Sequence, residues 1–243
     1  MLIRLDKYIS DAAQISRQDA KKFLSKGLVT VDGKVIKKGD IKVSGENAVT
    51  INGRLLSYQK FVYIMLNKPK GVVSATEDKN DVTVLDLVKK DYPKRNLFPA
   101  GRLDKTSTGF VLLTDDGEFA HDILAPKKHV PKEYIVTLDA DINDEIIEKF
   151  NSGVTLADGT LLKSAVLEKT DESRVVKVIL KQGVYHQIKR MFGVFEIGVN
   201  ELHRTHIGGV QLDEKLAGGE YRELTEEELS HISSSINDEF TQC

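Results

Sequence analysis

A charged loop in front of a hydrophobic strand has the residues best suited to catalysis. In this charged loop (residues 101–109), Asp104 lies between Arg102 and Lys105, and Phe110-Val111-Leu112-Leu113 follows it. A carboxylate held beside cations on a rigid element stays ionised and can act as a nucleophile or a base. The residues alone favour a second interpretation, in which Asp104 only caps a turn. The loop therefore contains one candidate reactive carboxylate.

Three further motifs lie in a fixed order around this loop. Asn67-Lys68-Pro69-Lys70-Gly71 precedes it, and Lys132-Glu133-Tyr134 follows it. The third motif begins Gly183-Val184-Tyr185-His186-Gln187 and continues through Ile188-Lys189-Arg190-Met191-Phe192. Together with Gly101-Arg102-Leu103-Asp104, these segments resemble the ordered motifs of pseudouridine synthases of the RsuA type, over nearly the whole chain.

The resemblance implies a role for three residues. Asp104 attacks the target nucleotide, Tyr134 stacks on the flipped uracil, and Lys189 is the basic partner of the aspartate. The bond between ribose and the uracil nitrogen breaks, the uracil turns in the pocket, and a carbon–carbon bond forms, with no metal or other cofactor. The target base must first leave its stack, which costs about a few kcal/mol that contacts to the RNA backbone must offset.

The candidate carboxylate needs a nearby cation. Burial raises the pKa of an isolated carboxylate, and a neighbouring positive charge lowers it. Arg102 and Lys189 are the candidates for this task. Neighbouring residues on a helix point roughly 100° apart, so we expect Lys189 to face inward and Arg190 to be free for phosphate. His186 is interpreted as a structural or RNA contact, with general-base catalysis as the alternative.

The chain departs from the family pattern at three positions. Thr106 stands where Asp or Asn is more frequent, Phe110 where Leu is common, and Gln182 where Glu is frequent. None of these changes removes a catalytic group. A threonine hydroxyl lacks the charge and the two acceptor oxygens of an aspartate, so the bracing of the charged loop is expected to differ from the family pattern.

Charge is unevenly distributed along the chain. Residues 1–58 hold 11 Lys and Arg against 6 Asp and Glu, and the remainder holds 24 against 31, so the two parts carry +5 and -7. A basic module on an acidic body suits a polyanion partner, because Lys and Arg release phosphate counterions; a solvated lysine-rich surface is the alternative. The predicted RNA contacts are Arg17, Lys21, Lys22, Lys68, Lys70, Arg102, His186 and Arg190.

The first 58 residues are predicted to form a small α/β domain. Ser16 has capping-box spacing to Asp19, and the helix that follows stops at Gly27. Asp32-Gly33 and Asn52-Gly53 predict tight turns between short strands. This order resembles the ribosomal-protein-S-four-like RNA-binding domain, over about residues 2–50.

Residues 59–243 are predicted to form a larger catalytic domain of the α+β class, with a mixed, mainly antiparallel sheet flanked by helices. The strand predictions are 61–66, 109–114, 134–138, 165–167 and 175–180. The helix predictions are 118–124, 144–150, 186–195 and one acidic helix after residue 225.

Nothing in the sequence directs export, and no apolar run approaches the roughly 20 residues that span a bilayer. Cys243 is the single cysteine, so no intrachain disulfide or cysteine-based metal site is expected. We therefore expect a cytoplasmic monomer.

The third motif continues through Glu201-Leu202-His203-Arg204 and Ile207-Gly208-Gly209-Val210, and this extension resembles the subgroup that acts on small-subunit ribosomal RNA. The resemblance therefore implies the isomerisation of a uridine in ribosomal RNA, with 16S (small-subunit) RNA or its assembly intermediate as the expected substrate. Two alternatives remain: a 23S (large-subunit) RNA synthase of the same family, and a non-catalytic ribosome-associated RNA-binding protein. A glycosidase-like hydrolase would need a second carboxylate about 5 to 9 Å from Asp104, and Asp115-Asp116 fit a turn better.

Overall fold

The computed structural model describes residues 2–125, 128, 130–156 and 158–237. The chain folds into two compact units, Met1–Val62 with Val88–Asn96, and Tyr63–Leu87 with Leu97–Cys243. The sequence-based boundary after residue 58 differs from this division, because residues 59–62 and 88–96 also belong to the first unit. Cys243 lies outside the described residues.

The first unit is a pair of helices followed by small antiparallel strands. Its four-stranded sheet has the order β3-β2-β5-β6, and β1 pairs with β4. The elements are β1 (Ile3–Arg4), α1 (Leu5–Ala12), α2 (Arg17–Ser25), β2 (Val29–Val31), β3 (Lys34–Val35), β4 (Lys42–Val43), β5 (Val49–Ile51) and β6 (Arg54–Leu55).

Local signals in the sequence explain these elements. The Ser16 hydroxyl accepts the Asp19 N–H at 3.1 Å and caps α2. Gly27, with φ +71°, follows the end of the helix. Asp32 and Gly33 have φ of 49° and 79°, which suits the tight turn between β2 and β3. The predicted capped helix and hairpin are confirmed.

The remaining elements begin at residue 63 and belong to the second unit, apart from Val88, the last residue of one helix, which belongs to the first. They are β7 (Tyr63–Lys68), α3 (Val84–Val88), β8 (Phe98–Pro99), β9 (Thr108–Thr114), α4 (Gly117–Leu124), β10 (Lys132–Leu138), α5 (Asp144–Ser152), β11 (Val154–Thr155), β12 (Leu161–Leu162), β13 (Val166–Lys169), β14 (Val175–Leu180), α6 (Gln187–Gly193), β15 (Val199–Ile207), β16 (Val210–Gln211), β17 (Tyr221–Glu223) and α7 (Glu226–Asn237).

One large sheet organises the second unit. Within the described residues this sheet has nine strands. Seven of them follow the order β13-β14-β10-β15-β9-β7-β17, while β16 pairs with β15 and β8 pairs with β9. Neighbouring strands are antiparallel except β15 and β9, which are parallel. The mixed, mainly antiparallel α+β fold is therefore confirmed. The nine-residue strand β15 lies near the middle of this sheet, and the apolar patterns did not predict it.

The core of the second unit is centred on β9, which is buried from Gly109 to Thr114. Phe110 and Leu112 pack with Ile123 of α4 and Ile232 of α7. Because β9 is fixed in this core, the charged loop that precedes it is attached to a rigid strand. Among the described residues, no helix has the length and apolar character needed to cross a membrane.

Candidate active site

Asp104 lies in the charged loop between β8 and β9, with its side chain about one-third exposed. Lys189 Nζ lies 3.2 Å from one carboxylate oxygen, and His186 Nε2 lies 3.2 Å from the other. Lys189 fulfils the predicted pairing. Arg102, the other candidate partner, is exposed and forms no ion pair with Asp104 in the described part of the chain. Two basic side chains thus hold a carboxylate that still faces solvent.

Helix α6 positions both basic groups. Ile188, Met191 and Phe192 are buried and fix the helix against the core, so Lys189 projects towards the charged loop. Its ammonium also donates to the Thr106 hydroxyl at 3.2 Å. Thr106, the departure from the family pattern, therefore holds the cation that pairs with Asp104.

His186 reaches Asp104 because its backbone is left-handed, with φ +50°, at the N-cap of α6. This conformation is uncommon for residues other than glycine and is typical of functional sites. The imidazole also stacks on Tyr185, with ring centroids 3.8 Å apart and an interplanar angle of 15°. The sequence identified His186 only as a structural or RNA contact, and its direct contact with Asp104 is a feature of the folded chain.

Hydrogen bonds from the segment that follows β7 hold the charged loop in place. The Ser74 hydroxyl accepts the Leu103 N–H at 3.0 Å and donates to the Leu103 carbonyl at 2.9 Å. The Lys105 carbonyl accepts the Gly71 N–H at 2.8 Å. Residues after β7 therefore fix the loop on both sides of Asp104.

Lys68 requires a correction. The sequence predicted an RNA contact, but this residue is fully buried, and its ammonium donates to the carbonyls of Ser107 at 2.7 Å and Pro69 at 3.0 Å. Burial lowers the pKa of Lys68 to about 8, while the charge of Asp104 opposes that shift. An ammonium enclosed in this way does not reach phosphate at the surface, so we assign Lys68 to bracing the loop.

Tyr134 lies on β10, directly opposite Arg204 of β15 in the antiparallel register. Its side chain is 9% exposed, and its hydroxyl lies 3.5 Å from Arg204 Nη1. The described contacts of Tyr134 connect it to Arg204 rather than to Asp104. Arg204 appeared in the sequence only as part of a motif, and no periodicity marked it as buried.

The other predicted RNA contacts lie at the surface. Lys70 and Arg102 of the second unit are exposed. Arg190 is about one-third exposed and pairs with Asp158 at 2.9 Å, so its guanidinium is partly engaged within the protein. In the first unit, α2 presents three exposed cations, Arg17, Lys21 and Lys22, of which Lys22 pairs with Asp19.

The arrangement suits nucleophilic chemistry. Lys189 and His186 contact the carboxylate of Asp104 on one side, and its exposed part is open to an incoming electrophile. Among the described residues, no group of three or more His, Cys, Asp or Glu could hold a metal ion.

The chain is similar to known proteins over almost its full length. It is 43% identical over 237 residues to an "Uncharacterized RNA pseudouridine synthase" of Aquifex aeolicus, covering 96% of this chain and 98% of that protein. It is 42% identical over 232 residues to "Ribosomal small subunit pseudouridine synthase A" of Escherichia coli, covering 95% of this chain and 100% of that protein.

A solved structure titled "Crystal structure of pseudouridylate synthase" matches the fold with a TM-score of 0.67 and 36% identity, covering 95% of this chain and 99% of that chain. Residues 3–49 match the S4 domain. Residues 62–193, which contain Asp104, Tyr134 and Lys189, match the family described as RNA pseudouridylate synthase. The chain belongs to this family of RNA-modifying isomerases, with an S4 RNA-binding domain at its N-terminal end.

Proposed function

We propose that the protein converts a specific uridine of small-subunit ribosomal RNA into pseudouridine, with Asp104 as the attacking group. The observation that carries this proposal is the geometry of Asp104, which is exposed on one side and held by Lys189 and His186 on the other. The small-subunit substrate is supported by the 42% identity to a relative whose name states that specificity. The protein is proposed to act in the cytoplasm as a monomer.

The reaction can be written with the residues of this site. Asp104 attacks the nucleotide, the bond between the ribose and the uracil nitrogen breaks, and the freed uracil turns within the pocket. A bond then forms between the ribose C1′ and the uracil C5 as the bond to Asp104 breaks and frees the carboxylate. The C5 proton is lost to solvent and the freed N1 takes up a proton, so the product is an isomer of uridine. Lys189, 3.2 Å from the carboxylate, is proposed to hold Asp104 in position for the attack, and Tyr134 is proposed to stack on the uracil.

Both units are proposed to contribute contacts to the RNA. Extraction of the target base from its stack costs about a few kcal/mol, which contacts to the RNA backbone must offset. The exposed cations of α2 and the exposed Lys70 and Arg102 are proposed to supply them. A binding protein without catalysis would have no use for a carboxylate facing a polyanion, since the repulsion only weakens binding. The placement of Asp104 therefore favours an enzyme.

Comparison of ribosomal RNA from cells with and without this gene tests the substrate. We expect one pseudouridine of the small-subunit RNA to be absent from the deleted strain and restored by the wild-type gene, and not by Asp104→Asn. If the missing modification lies in large-subunit RNA, the substrate assignment is wrong and the enzyme assignment stands. If both RNAs keep every pseudouridine, the proposed function is contradicted.

A further inference from the structure

Arg204 is a buried cation that the chemistry described above does not use. It is 3% exposed, and no carboxylate of the described residues pairs with it. Its Nη2 is buried and has no hydrogen-bond partner among those residues. Burying a charge without a counter-ion costs about several kcal/mol, so a residue of this kind in a core needs an explanation.

Arg204 contacts the end of the charged loop and lies near its beginning. Its Nε donates to the Phe110 carbonyl at 2.6 Å, one residue after the loop ends. Its backbone pairs with Gly109 in the parallel register of β15 and β9. At the other end, Nη1 lies 3.9 Å from the position that a Cβ on Gly101 would take. Arg204 therefore contacts the end of the loop that holds Asp104 and lies near its beginning.

The other contact of Arg204 is Tyr134. The two residues lie opposite each other across β15 and β10. Nη1 is 3.5 Å from the phenol oxygen, and the guanidinium carbon is 5.9 Å from the ring centroid. A guanidinium at this distance attracts the face of an aromatic ring. Arg204 thus acts on both the position of the ring and the direction of its hydroxyl.

We propose that Arg204 is a positioning residue that fixes Tyr134 relative to the charged loop, so that the stacking ring and the Asp104 carboxylate meet the same nucleotide. This inference rests on the proposed function. The proposed role explains why a guanidinium without a carboxylate partner among the described residues is buried here. A planar group with several donors can connect two strands and a loop that are distant in sequence.

Arg204→Lys tests the inference, because lysine keeps the charge but cannot bridge Phe110 and Tyr134 together. Misplacing reacting groups by about 1 Å can cost about 100-fold in rate, so we expect kcat for tritium release from ribosomal RNA labelled at uridine C5 to fall at least tenfold. Arg204 is buried and does not reach the RNA, so KM should change less than about threefold.

A double-mutant cycle with Tyr134→Phe separates positioning from folding. If Arg204 acts through the tyrosine, the loss caused by Arg204→Lys should be several-fold smaller in the Tyr134→Phe background. The control is Lys132→Met, which removes another buried cation of the same sheet. Among the described residues its ammonium donates to the carbonyls of Ile123 and Val130, and not to Tyr134. Its effect on kcat should be the same with Tyr134 and with Phe at that position.

Each outcome decides the inference. Equal losses from Arg204→Lys in both backgrounds, or a kcat equal to wild type, would overturn it. If Arg204→Lys does not fold, the same cycle is run with Arg204→Gln, and failure of both variants to fold would make Arg204 a purely structural residue and also overturn it. A wild-type protein that releases no tritium would contradict the proposed function instead, so the two failures remain distinct.

Discussion

At the scale of single residues, the central feature is the unequal environment of Asp104 and Lys189. Asp104 has two basic neighbours, whereas Lys189 has one carboxylate and one neutral hydroxyl, that of Thr106. An aspartate at residue 106 would compete with Asp104 for the ammonium. The Thr106 hydroxyl accepts from Lys189 without adding negative charge beside Asp104, so this departure from the family pattern is compatible with the pairing.

The buried ammonium of Lys68 predicts in which direction the stability of the protein changes with pH. Its pKa is about 8 in the folded chain, against 10.5 for a free lysine side chain. Between these values the unfolded chain binds more protons, so stability rises with pH through this window and the burial cost is fully present below pH 8. We expect the unfolding free energy of wild type relative to Lys68→Met to increase from pH 8 towards pH 10.

Denaturant unfolding of both proteins across this pH series measures the difference directly. Exposed lysines and tyrosines also titrate in the same range, but they are common to wild type and variant and cancel in the comparison. A difference that stays constant with pH would show that the ammonium of Lys68 is not held in a pKa-lowering environment.

At the scale of elements, apolar runs predicted most of the structure near the site. The strand predictions at 175–180 and 109–114 match β14 and most of β9, because these strands are buried and consist mostly of apolar residues. The helix prediction at 186–195 included α6 but began at His186, whose left-handed backbone lies outside the helix. Local patterns therefore found the elements but not the conformation that brings His186 to Asp104.

Strand β15 was missed because its sequence, Val-Asn-Glu-Leu-His-Arg-Thr-His-Ile, has polar residues on both faces. A period of two in hydrophobicity is the signal for a strand, and here a charged residue occupies a buried position. For the same reason the sequence predicted Lys68 at the surface. Basic side chains that satisfy backbone carbonyls inside the core depend on tertiary contacts, which no local pattern reveals.

The close approach of β9 and β15 can be tested at Gly109. Its φ is +103°, and an added Cβ would lie 2.7 Å from the backbone nitrogen of Arg204. Gly109→Ala should therefore separate the strands and reduce kcat. It should also lower the unfolding temperature by several degrees, because about 1 kcal/mol corresponds to about 2–4 °C in a chain of this size.

Gly117→Ala is the matched control. Gly117 begins α4, no atom lies within 4 Å of its added Cβ, and its φ is not positive. Alanine favours helices over glycine by about 1 kcal/mol, so this variant should be as stable as wild type or slightly more stable. Equal melting temperatures for Gly109→Ala and Gly117→Ala would contradict the close packing of the two strands.

At the scale of the whole molecule, the proposed RNA binding by the N-terminal part is supported by its charge of +5 and by its match to the S4 domain. The helix predicted after Ser16 is confirmed as α2, whereas no sequence pattern connected residues 88–96 to the first unit. That segment joins the first unit through tertiary contacts, although about 25 residues of the second unit separate it from residue 62 in the chain. Domain boundaries of this kind are not visible in composition.

Neutralising two exposed cations of α2, Arg17→Gln with Lys21→Gln, should weaken RNA binding and reduce the slope of log affinity against log salt by about 1.4 to 1.8. The control, Lys149→Gln with Lys215→Gln, removes the same charge from exposed positions of the second unit. Titrations across a salt series compare them. A smaller effect of the α2 pair than of the control pair would contradict the assignment of RNA binding to the first unit.

The measurement that tests the central claim most directly is pseudouridine formation by Asp104→Asn. Asparagine has nearly the same shape as aspartate but cannot serve as an anionic nucleophile, so the variant should fold and bind RNA while its turnover falls by several orders of magnitude, each tenfold loss being about 1.4 kcal/mol of barrier. Asp81→Asn, which removes a carboxylate that pairs with Lys105 of the same loop, is the matched control and should retain most activity.

Rate and RNA affinity are measured on the same preparations, after unfolding curves show that both variants are intact. The account predicts undetectable or nearly undetectable product for Asp104→Asn and near wild-type rates for Asp81→Asn. A folded, RNA-bound Asp104→Asn that isomerises uridine at more than about a tenth of the wild-type rate would leave less than about 1.4 kcal/mol of the barrier dependent on this carboxylate. Asp104 would then not be the attacking group.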